Sequence, residues 1–587
     1  MTELRPRFPS LLHALLAQAE RGSDGLGVTL LPEPGTEEAL RYDAVLEAAA
    51  RCAAALAEHG VGQGDRVVLC LPTGPQFITA FFGAQLLGAA PTAIAVPLRF
   101  GGAAGFESQM RNLAAYLRPA AVVTTSAVID ALSDFSGAGL VDGDALYARA
   151  TTSDAPLHPV RLPDGDDLAL IQCTSGSTGT PKGVMVSHAN LAANCEQIVR
   201  ALDWTEKDTT VSWLPLYHDM GLITGLLCPV YRGGRAVLMP TTRFLRAPVE
   251  WLRHMSTHRG TVAAAPNFAY GYCTTRVRDE DLEGVDLSSW RLALCGAEPI
   301  HPATVQRFVD RFTQWGLPAT AFLPGYGMAE AALAITSTRP EDPLLFDTID
   351  REIAATDGLA VDVAPDTSGA LQIVDCGTPV AGTEVRVVDG DGKPLGENRI
   401  GHIQFRGPSR TAGYFDLPEV TAASMDSPDW WKTGDLGYLR NGSLRITGRA
   451  KDVIIIRGAN YFPSDFEQAA ETVPGVRLSA VVAVGYRPDG GDSEELHLIV
   501  ETELEGEQHE ALRRSVYAAV SSRTGVSPAA VHLVPKRSIP KTTSGKLQRS
   551  KARKLFVEGW SPSGADARTP QRPGEPQRPG EPQPQLS

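Results

Sequence analysis

Residues 172–183 read Gln-Cys-Thr-Ser-Gly-Ser-Thr-Gly-Thr-Pro-Lys-Gly, a loop of glycines and hydroxyl side chains that ends on a lysine and a glycine. Apolar runs flank the loop, residues 168–171 before it and 184–186 after it, and each run is typical of a buried strand. Glycine lets backbone N–H groups approach an anion closely, hydroxyl groups add donors, and Lys182 adds a positive charge. The stretch therefore predicts a phosphate-binding loop between two strands.

This loop differs from the common GxxxxGK(S/T) nucleotide loop, because Gly183 follows Lys182 and the second flank is strand-like. Ser187 is then predicted to be the N-cap of a helix. A surface turn rich in Ser, Gly and Thr is the alternative, and the Pro-Lys-Gly ending and the motifs downstream argue against it. The candidate phosphate-binding residues are Thr174, Ser175, Gly176, Ser177, Thr178, Gly179 and Lys182.

Length and composition limit the class of protein. A chain of 587 residues exceeds the size at which one core keeps growing, so at least two domains are expected. The net charge of −14 argues against a protein that coats nucleic acid or anionic lipid. The eight cysteines include no CxxC pair, which favours reduced thiols in a cytoplasmic protein. We expect neither a signal peptide nor a membrane span.

Helical and strand patterns alternate along the first part of the chain. Residues 40–59 and 76–87 are predicted helices, and residues 66–71 and 92–96 are predicted strands. Such alternation indicates α/β architecture, with parallel sheets covered by helices. The alternating run 383–388 predicts a change to antiparallel strands, which form a β-barrel-like subdomain.

The last third of the chain contains three kinds of segment. Residues 331–374 show no strong strand signal, and a short helix is expected at 346–353. A smaller α+β unit follows, with strands at 478–484 and 496–503 and a helix at 507–522. From Ser561 the composition shifts to Pro, Gln, Gly and Arg, which predicts a disordered tail because such a segment cannot bury a core.

A second motif, Tyr217-His218-Asp219, precedes an apolar segment. A histidine beside an aspartate is typical of a hydrolytic triad, but no nucleophile lies in register with the pair, so we reject that interpretation. The motif fits better as the wall of a channel for a carboxylate or an acyl chain, with Asp219 as a supporting or helix-capping group. The predicted acyl-pocket residues are His218, Ile223, Gly225, Asn267 and Phe268, and His218 is also a candidate catalytic residue.

Further glycine-containing motifs suit a nucleotide. Tyr326 lies between two glycines, so a planar ligand can lie on it, and Glu330 can hold Mg²⁺ against phosphate oxygens, with Thr174 as a second candidate ligand. Asp435, expected at a strand end, suits a ribose because a carboxylate can accept two hydroxyl hydrogen bonds. The remaining candidate ATP-binding residues are Gly296, Ala297, Glu298, Gly325, Gly327, Met328 and Arg449.

In this order, the motifs resemble those of the adenylate-forming superfamily over residues 10–558. The resemblance implies ATP and Mg²⁺ as cofactors, and a large N-terminal domain followed by a small mobile one. It also implies a hinge at Lys451 and a catalytic lysine at Lys546, which follows Thr-Thr-Ser-Gly. The expected boundaries are 1–448 for the N-terminal domain, 449–558 for the mobile domain and 559–587 for the tail.

The strings at 213–222 and 266–270 are similar to those of the fatty acyl-AMP ligase branch, and residues 331–374 resemble its characteristic insertion. That branch implies transfer of a fatty acyl group to the phosphopantetheine of an acyl carrier protein. Residues 457–463, Arg-Gly-Ala-Asn-Tyr-Phe-Pro, depart from the Arg-Gly-x-Asn-His-Tyr-Pro usual there, so coenzyme A stays open as the acceptor. An acyl- or aryl-CoA synthetase, an amino-acid adenylation domain and a catalytically silent nucleotide-binding scaffold are the alternatives.

Overall fold

The structure is a computed structural model that describes residues 4–558, with gaps. The predicted tail, 559–587, lies outside the described residues, and so do Ser175, Gly176, Ser177, Thr178 and Gly179 of the predicted phosphate loop. The internal gaps are 23–25, 98–102, 133–134, 153, 155–156, 175–180, 478, 489–492 and 543–545.

Strands occur throughout the described chain. In chain order they are β1 (Gly27–Leu30), β2 (Glu38–Arg41), β3 (Arg66–Cys70), β4 (Ala90–Ala93), β5 (Ala121–Thr124), β6 (Gly139–Asp142), β7 (Leu168–Thr174), β8 (Lys182–Ser187), β9 (Thr209–Ser212), β10 (Arg235–Leu238), β11 (Val262–Ala265), β12 (Leu292–Cys295), β13 (Phe322–Gly327), β14 (Ala334–Ser337), β15 (Phe346–Asp350), β16 (Ala370–Val374), β17 (Thr378–Pro379), β18 (Glu384–Val388), β19 (Gly401–Arg406), β20 (Trp431–Arg440), β21 (Ser443–Arg449), β22 (Ile454–Ile456), β23 (Ala459–Tyr461), β24 (Val481–Tyr486), β25 (Glu495–Thr502) and β26 (Ala530–Pro535).

Helices cover the sheets and connect their strands. They are α1 (Leu11–Glu20), α2 (Tyr42–Glu58), α3 (Pro75–Leu86), α4 (Ala103–Leu117), α5 (Ser126–Ala131), α6 (Gly143–Ala150), α7 (His188–Ala201), α8 (Asp219–Leu222), α9 (Cys228–Arg232), α10 (Thr241–Arg246), α11 (Val249–Thr257), α12 (Asn267–Arg276), α13 (Pro302–Phe312), α14 (Arg351–Thr356), α15 (Pro418–Ala423), α16 (Pro463–Glu471), α17 (Gln508–Thr524) and α18 (Arg549–Arg553). Ile223–Leu227 and Lys554–Glu558 form π-helical turns.

Two large sheets form the N-terminal part. One sheet has the order β17-β14-β13-β12-β11-β9-β10-β1-β2, in which the strands from β13 to β1 are parallel neighbours and the outer strands are antiparallel. The other, β4-β3-β5-β6, is parallel throughout. Strands separated by helices are joined by crossovers, which produce parallel pairing. The predicted α/β class is confirmed.

The strands that flank the phosphate loop pair with each other. β7 and β8 form an antiparallel hairpin in which Thr174 lies opposite Lys182. Ser187 caps α7, because its side chain accepts a hydrogen bond from the Asn190 backbone N–H and the Asn190 side chain accepts one from the Ser187 N–H. The predictions of two flanking strands and of an N-cap at Ser187 are therefore confirmed.

Small residues let helices α2 and α3 approach each other closely. A Cβ atom at Gly83 of α3 would lie 3.0 Å from Cys52 Sγ of α2, and both helices are almost fully buried on their facing sides. All eight cysteines are free thiols, as predicted, and every one except the partly exposed Cys173 is buried. In the part of the chain that the structure describes, no helix is both long and apolar enough to cross a bilayer.

Antiparallel strands follow the large sheets. β18, β19, β20 and β21 form one four-stranded sheet in sequence order, which confirms the predicted change to antiparallel pairing near residue 383. β24, β25 and β26 form a separate sheet against which α16 and α17 pack. Its core includes Phe466, Val481, Leu498 and Val516. This small α+β unit agrees with the predicted C-terminal strands and helix.

The expectation of a helix at 346–353 is wrong over its first half. Phe346–Asp350 is strand β15, which pairs with β16, and Asp350 then caps α14 by accepting from the Ile353 N–H. Within 331–374, which lacked a strong strand signal, β14 also forms. The pairing partner of β15 lies about twenty residues away, and such long-range pairing overrides local propensity. Residues 40–41, assigned to a helix, likewise belong to β2.

A cluster of aromatic rings fills the space between α10–α13 and the large sheet. The Trp251 ring centroid lies 5.0 Å from that of Trp290, 5.7 Å from Phe244 and 5.9 Å from Tyr270. The indole N–H of Trp251 donates to the Val211 carbonyl, and its side chain is fully buried. This side chain therefore joins the helices to strand β9.

We expect Trp251→Ala to lower the free energy of unfolding by about 3–5 kcal/mol, because truncation leaves a cavity that rigid neighbouring rings cannot fill. Leu245→Ala serves as the control, since Leu245 is 43% exposed, and a change within about 0.5 kcal/mol is expected there. Urea unfolding followed by circular dichroism measures both. Equal effects of the two substitutions would contradict the proposed role of the aromatic cluster.

Candidate active site

The predicted site residues follow the carboxyl ends of adjacent parallel strands. Strand β9 leads to His218, β11 to Asn267, β12 to Glu298, and β13 carries Tyr326 near its own end. Parallel strands that are neighbours end at the same edge of a sheet, and ligands of α/β proteins bind at that edge. The topology therefore brings together residues that lie more than one hundred positions apart in the chain.

Tyr326 and Asp435 contact each other directly. The Tyr326 hydroxyl donates to Asp435 Oδ2 at 2.6 Å, and Arg449 Nε lies 3.3 Å from Asp435 Oδ1. Burial raises the pKa of Asp435, while the charges of Arg449 and Lys546 and the Tyr326 hydroxyl act in the opposite direction. A carboxylate held in this way can accept further hydrogen bonds from a polar ligand.

The surroundings of this pair differ in one respect from the sequence expectation. Asp435 lies inside strand β20 and not at a strand end, and the register between β20 and β21 shifts just after it, at Leu436 and Gly437. A Cβ atom at Gly327 would lie 1.8 Å from the Leu333 carbonyl oxygen, so only glycine fits beside Tyr326. The register shift that follows Asp435 is a β-bulge, and β-bulges redirect side chains near binding sites.

His218 and Asp219 form a hydrogen-bonded pair. His218 Nδ1 lies 2.7 Å from Asp219 Oδ1, which also accepts from the Met220 N–H. Burial by itself would raise the pKa of Asp219, but His218 and the nearby Lys546 ammonium outweigh it and lower that pKa to about 2. Asp219 is therefore ionised, and its contact with Nδ1 orients the His218 ring.

Lys546 reaches the same region from the C-terminal unit. Its charge lowers the pKa of Asp219, of Glu298 and of Asp435 against the raising effect of burial on each carboxyl group. Glu298 Oε1 accepts from the Phe268 N–H at 2.6 Å, which also opposes the rise in its pKa. The charge of Lys546 therefore favours the ionised form of all three carboxyl groups.

Glu330 and Lys182 meet through Tyr414. The Tyr414 hydroxyl donates to Glu330 Oε1 at 2.6 Å, and Lys182 Nζ lies 4.8 Å from the centroid of the Tyr414 ring. Tyr414 was not predicted from the sequence. It follows a glycine, Gly413, just as Tyr326 follows Gly325, so the same signal could have identified it. Thr174 contributes a hydroxyl whose oxygen lies 3.4 Å from the Lys182 carbonyl oxygen.

The residues around Glu330 suit a divalent cation. Burial raises the pKa of Glu330, the Tyr414 hydroxyl and Arg449 lower it, and the charge of Asp219 raises it further. A buried carboxylate gains from a positive ion beside it. Among the described residues, no cluster of three or more His, Cys, Asp or Glu side chains could hold a metal unaided, so phosphate oxygens would have to complete a Mg²⁺ site.

The predicted acyl-pocket residues fall into two separate clusters. Ile223 and Gly225 lie in the buried π-helical turn, where Ile223 packs with Leu222 and Leu226. Phe268 packs instead against the aromatic cluster around Trp213, and Asn267 Oδ1 accepts from the His301 N–H. Ile223 and Phe268 therefore belong to different clusters of the hydrophobic core. A π-helical turn is nevertheless common at functional sites.

The segment expected to be an insertion touches the C-terminal unit. Arg351 Nη1 of α14 lies 3.0 Å from Asp465 Oδ2 of α16, and both side chains are at most 6% exposed. Burial raises the pKa of Asp465 to about 6 despite the opposing charge of Arg351. Gln468 of the same helix also lies within hydrogen-bonding distance of His301 Nδ1. These contacts hold the small unit against the large one.

Comparisons with known proteins agree with this geometry. The profile of the AMP-binding enzyme family matches residues 18–415. A putative acyl-CoA synthetase of Caulobacter vibrioides is 36% identical over 94% of this chain and 96% of its own length. The medium-chain-fatty-acid–acyl-carrier-protein ligase JamA of Moorena producens is 32% identical over 94% of this chain and 96% of its own length.

Solved structures give the same result. One structure, from structural and functional studies of fatty acyl-adenylate ligases of E. coli and L. pneumophila, has a TM-score of 0.86 and 33% identity, covering 94% of this chain and 98% of its own. The family profile spans more than half of the chain, and these relatives are matched over nearly their whole length. The chain therefore belongs to the AMP-binding, adenylate-forming enzyme family, in the branch that contains the fatty acyl-AMP ligases and acyl-CoA synthetases.

Proposed function

We propose that this enzyme activates a fatty acid with ATP and passes the acyl group to the phosphopantetheine thiol of an acyl carrier protein. In the first step a carboxylate oxygen bonds to the α-phosphorus, the bond from that phosphorus to the bridging oxygen breaks, and pyrophosphate leaves. In the second step the sulfur bonds to the acyl carbon, AMP leaves, and the thiol proton passes to solvent. The observation that carries the proposal is the hydrogen-bonded pair of Tyr326 and Asp435, and the charge of Lys546, which opposes the rise in the pKa of Asp435 on burial, supports it.

The first step needs positive charge where negative charge develops. Lys546 is proposed to meet the α-phosphate and the incoming carboxylate, while Lys182 and Thr174 bind the outer phosphates together with the rest of the 174–183 loop. Phosphoryl-type transfer depends on positioning and charge neutralisation more than on covalent help from the protein. A fixed ammonium in a site shielded from water provides both.

The nucleoside is proposed to bind on the opposite side of Lys546. Tyr326 would lie against the adenine, with Gly296, Ala297, Gly325 and Met328 around it, and Asp435 would accept hydrogen bonds from the ribose. Because the Tyr326 hydroxyl already donates to Asp435, the aromatic ring and the carboxylate are fixed relative to each other. Arg449 holds the other carboxylate oxygen and so limits its rotation.

Glu330 and Thr174 are proposed to hold Mg²⁺ against the phosphates. The ion, when bound, would neutralise phosphate charge and orient the oxygens of the leaving group. Glu330 suits this role because its carboxylate is buried, and because Tyr414 fixes one of its oxygens.

The second step is proposed to require that Lys546 move away from the acyl-adenylate. We propose that residues 449–558 rotate as a mobile domain about a hinge at Lys451, which lies in a short 3₁₀ turn between β21 and β22. Lys546 would then give way to the phosphopantetheine arm. Rotation would separate Arg351 from Asp465, so both members of this buried pair would lose their partner and regain water.

The acceptor is proposed from the relatives. JamA is named as a ligase that acts on an acyl carrier protein, and the Caulobacter relative as a putative acyl-CoA synthetase, so coenzyme A is the alternative acceptor. The name of JamA, a medium-chain-fatty-acid ligase, favours a fatty acid as the substrate. Free cysteines agree with a reaction in the reducing cytoplasm.

Lys546→Ala is expected to slow acyl-adenylate formation by about 10²-fold or more, because one preorganised charge is lost from the transition state. Thioester formation from supplied acyl-adenylate should change much less, since Lys546 is proposed to be absent from that step. Fatty-acid-dependent pyrophosphate release measures the first step, and carrier-protein acylation the second. Lys536→Ala, at an exposed lysine that pairs with Glu503, should retain both rates, and equal losses in both steps for Lys546→Ala would refute its role.

Glu330→Gln should raise the Mg²⁺ concentration that gives half-maximal acyl-adenylate formation by roughly 10- to 100-fold, as is typical when a group at a metal site is changed. Gln keeps the size of the side chain and an acceptor for Tyr414, so the fold should persist. A Mg²⁺ titration measures the shift. Glu384→Gln, in a surface pair with Arg406, provides the control, and an unchanged titration for Glu330→Gln would exclude it as a ligand.

With a fatty acid and ATP, the wild-type enzyme should acylate a carrier protein that bears phosphopantetheine and leave coenzyme A largely unmodified. The same carrier protein without its phosphopantetheine serves as the control, because it lacks the accepting thiol. Mass spectrometry of both acceptors gives the ratio of products. A dominant coenzyme A thioester would instead assign the enzyme to the acyl-CoA synthetases.

A further inference from the structure

We propose that Tyr414 is a positioning residue that fixes Glu330 and Lys182 relative to each other on two sides of the bound triphosphate. The inference rests on the proposed function, in which Glu330 holds the metal ion and Lys182 binds the phosphates. It adds a side chain that sets the positions of the two groups proposed to contact the metal ion and the phosphates.

Tyr414 engages both groups through different parts of one side chain. Its hydroxyl donates to Glu330 Oε1 at 2.6 Å, and its ring faces Lys182 Nζ at 4.8 Å from the centroid. Tyrosine combines a hydrogen-bond donor with an aromatic face that attracts a cation. Tyr414 can thus hold the Glu330 carboxylate through its hydroxyl and the Lys182 ammonium through its ring.

The backbone around Tyr414 joins the two groups as well. The Met185 N–H donates to the Gly413 carbonyl, and the Phe415 N–H donates to the Gly183 carbonyl, so residues 413–415 extend the β7–β8 hairpin. The Thr411 N–H donates to the Glu330 carbonyl at 2.8 Å. Residues 411–415 therefore connect the strand that begins at Lys182 with the turn that presents Glu330.

The ring itself has little freedom. Tyr414 is 6% exposed, and its ring lies 5.5 Å from the Trp431 ring in an edge-to-face arrangement. Its N–H donates to Thr421 Oγ1, and a Cβ atom at Gly413 would lie 2.4 Å from Thr421 Cγ2, so that position requires glycine. A side chain locked by packing can preorganise the groups that it touches.

Two substitutions separate the two contacts. Tyr414→Phe removes the hydroxyl and keeps the ring, so it should affect the metal-dependent part of ATP binding alone. Tyr414→Leu removes both and should also weaken ATP binding without metal. Isothermal titration calorimetry of ATP, once with Mg²⁺ and once with a chelator, measures these two parts without any need for turnover.

For Tyr414→Phe, we expect the gain in ATP affinity on adding Mg²⁺ to fall by roughly 10- to 100-fold, the range typical for supporting partners of metal ligands. Its metal-free affinity should equal that of the wild type. For Tyr414→Leu, metal-free affinity should fall by about 2- to 30-fold, the range that a cation–π contact contributes.

Tyr147→Phe is the matched control, because the Tyr147 hydroxyl also donates to a glutamate, Glu38, outside the site. It should leave both affinities unchanged, and thermal unfolding verifies that each variant is folded. If the wild type gains affinity from Mg²⁺ and Tyr414→Phe gains as much, the inference is overturned while the proposed function stands. If the wild type gains nothing from Mg²⁺, the metal role in the proposed function fails, and the inference fails with it.

Discussion

The burial of several carboxyl groups in the candidate site is the constraint on which the site depends. Burial acts to raise the pKa of Asp219, Glu298, Glu330 and Asp435. Ionised carboxylates in such positions are costly unless cations and hydrogen-bond donors accompany them. The partners here are a histidine, two tyrosine hydroxyls, a backbone N–H, an arginine and a lysine, drawn from distant parts of the chain.

These partners of the carboxyl groups come from two different parts of the chain. His218, Tyr326 and Tyr414 belong to the large N-terminal part and are held by packing and by short hydrogen bonds. Lys546 belongs to the small unit, and its charge influences Asp219, Glu298 and Asp435. Removing a cation from among buried carboxylates raises their electrostatic energy. The carboxylates therefore act as an attractive site for the lysine, and they favour the arrangement described here.

Many helices and strands can be predicted from the sequence because the signals for them lie within a few neighbouring residues. Three predicted features depend only on neighbouring residues, and the structure contains them. They are the strands that flank the 172–183 loop, the N-cap at Ser187 and the alternation of strands and helices in the first part of the chain. Tyr414 and the Arg351–Asp465 pair were not predicted, because each depends on contacts between segments about eighty or more residues apart. β15 was missed for the same reason, since its partner strand lies beyond α14. Local sequence patterns predict individual helices and strands, whereas contacts between distant helices and strands can be predicted only once the topology of the fold is known.

The contacts between the two units bear on the choice of acceptor. Departure of the small unit would remove Lys546 from three carboxyl groups and separate Arg351 from Asp465, although both members of that pair would regain water. A molecule that favours the rotated arrangement must supply this free energy by binding it more tightly than the first arrangement. A carrier protein can do so with a surface as well as with its phosphopantetheine arm, whereas coenzyme A offers only a nucleotide and the arm. If the small unit rotates as proposed, the cost of that rotation favours a macromolecular acceptor.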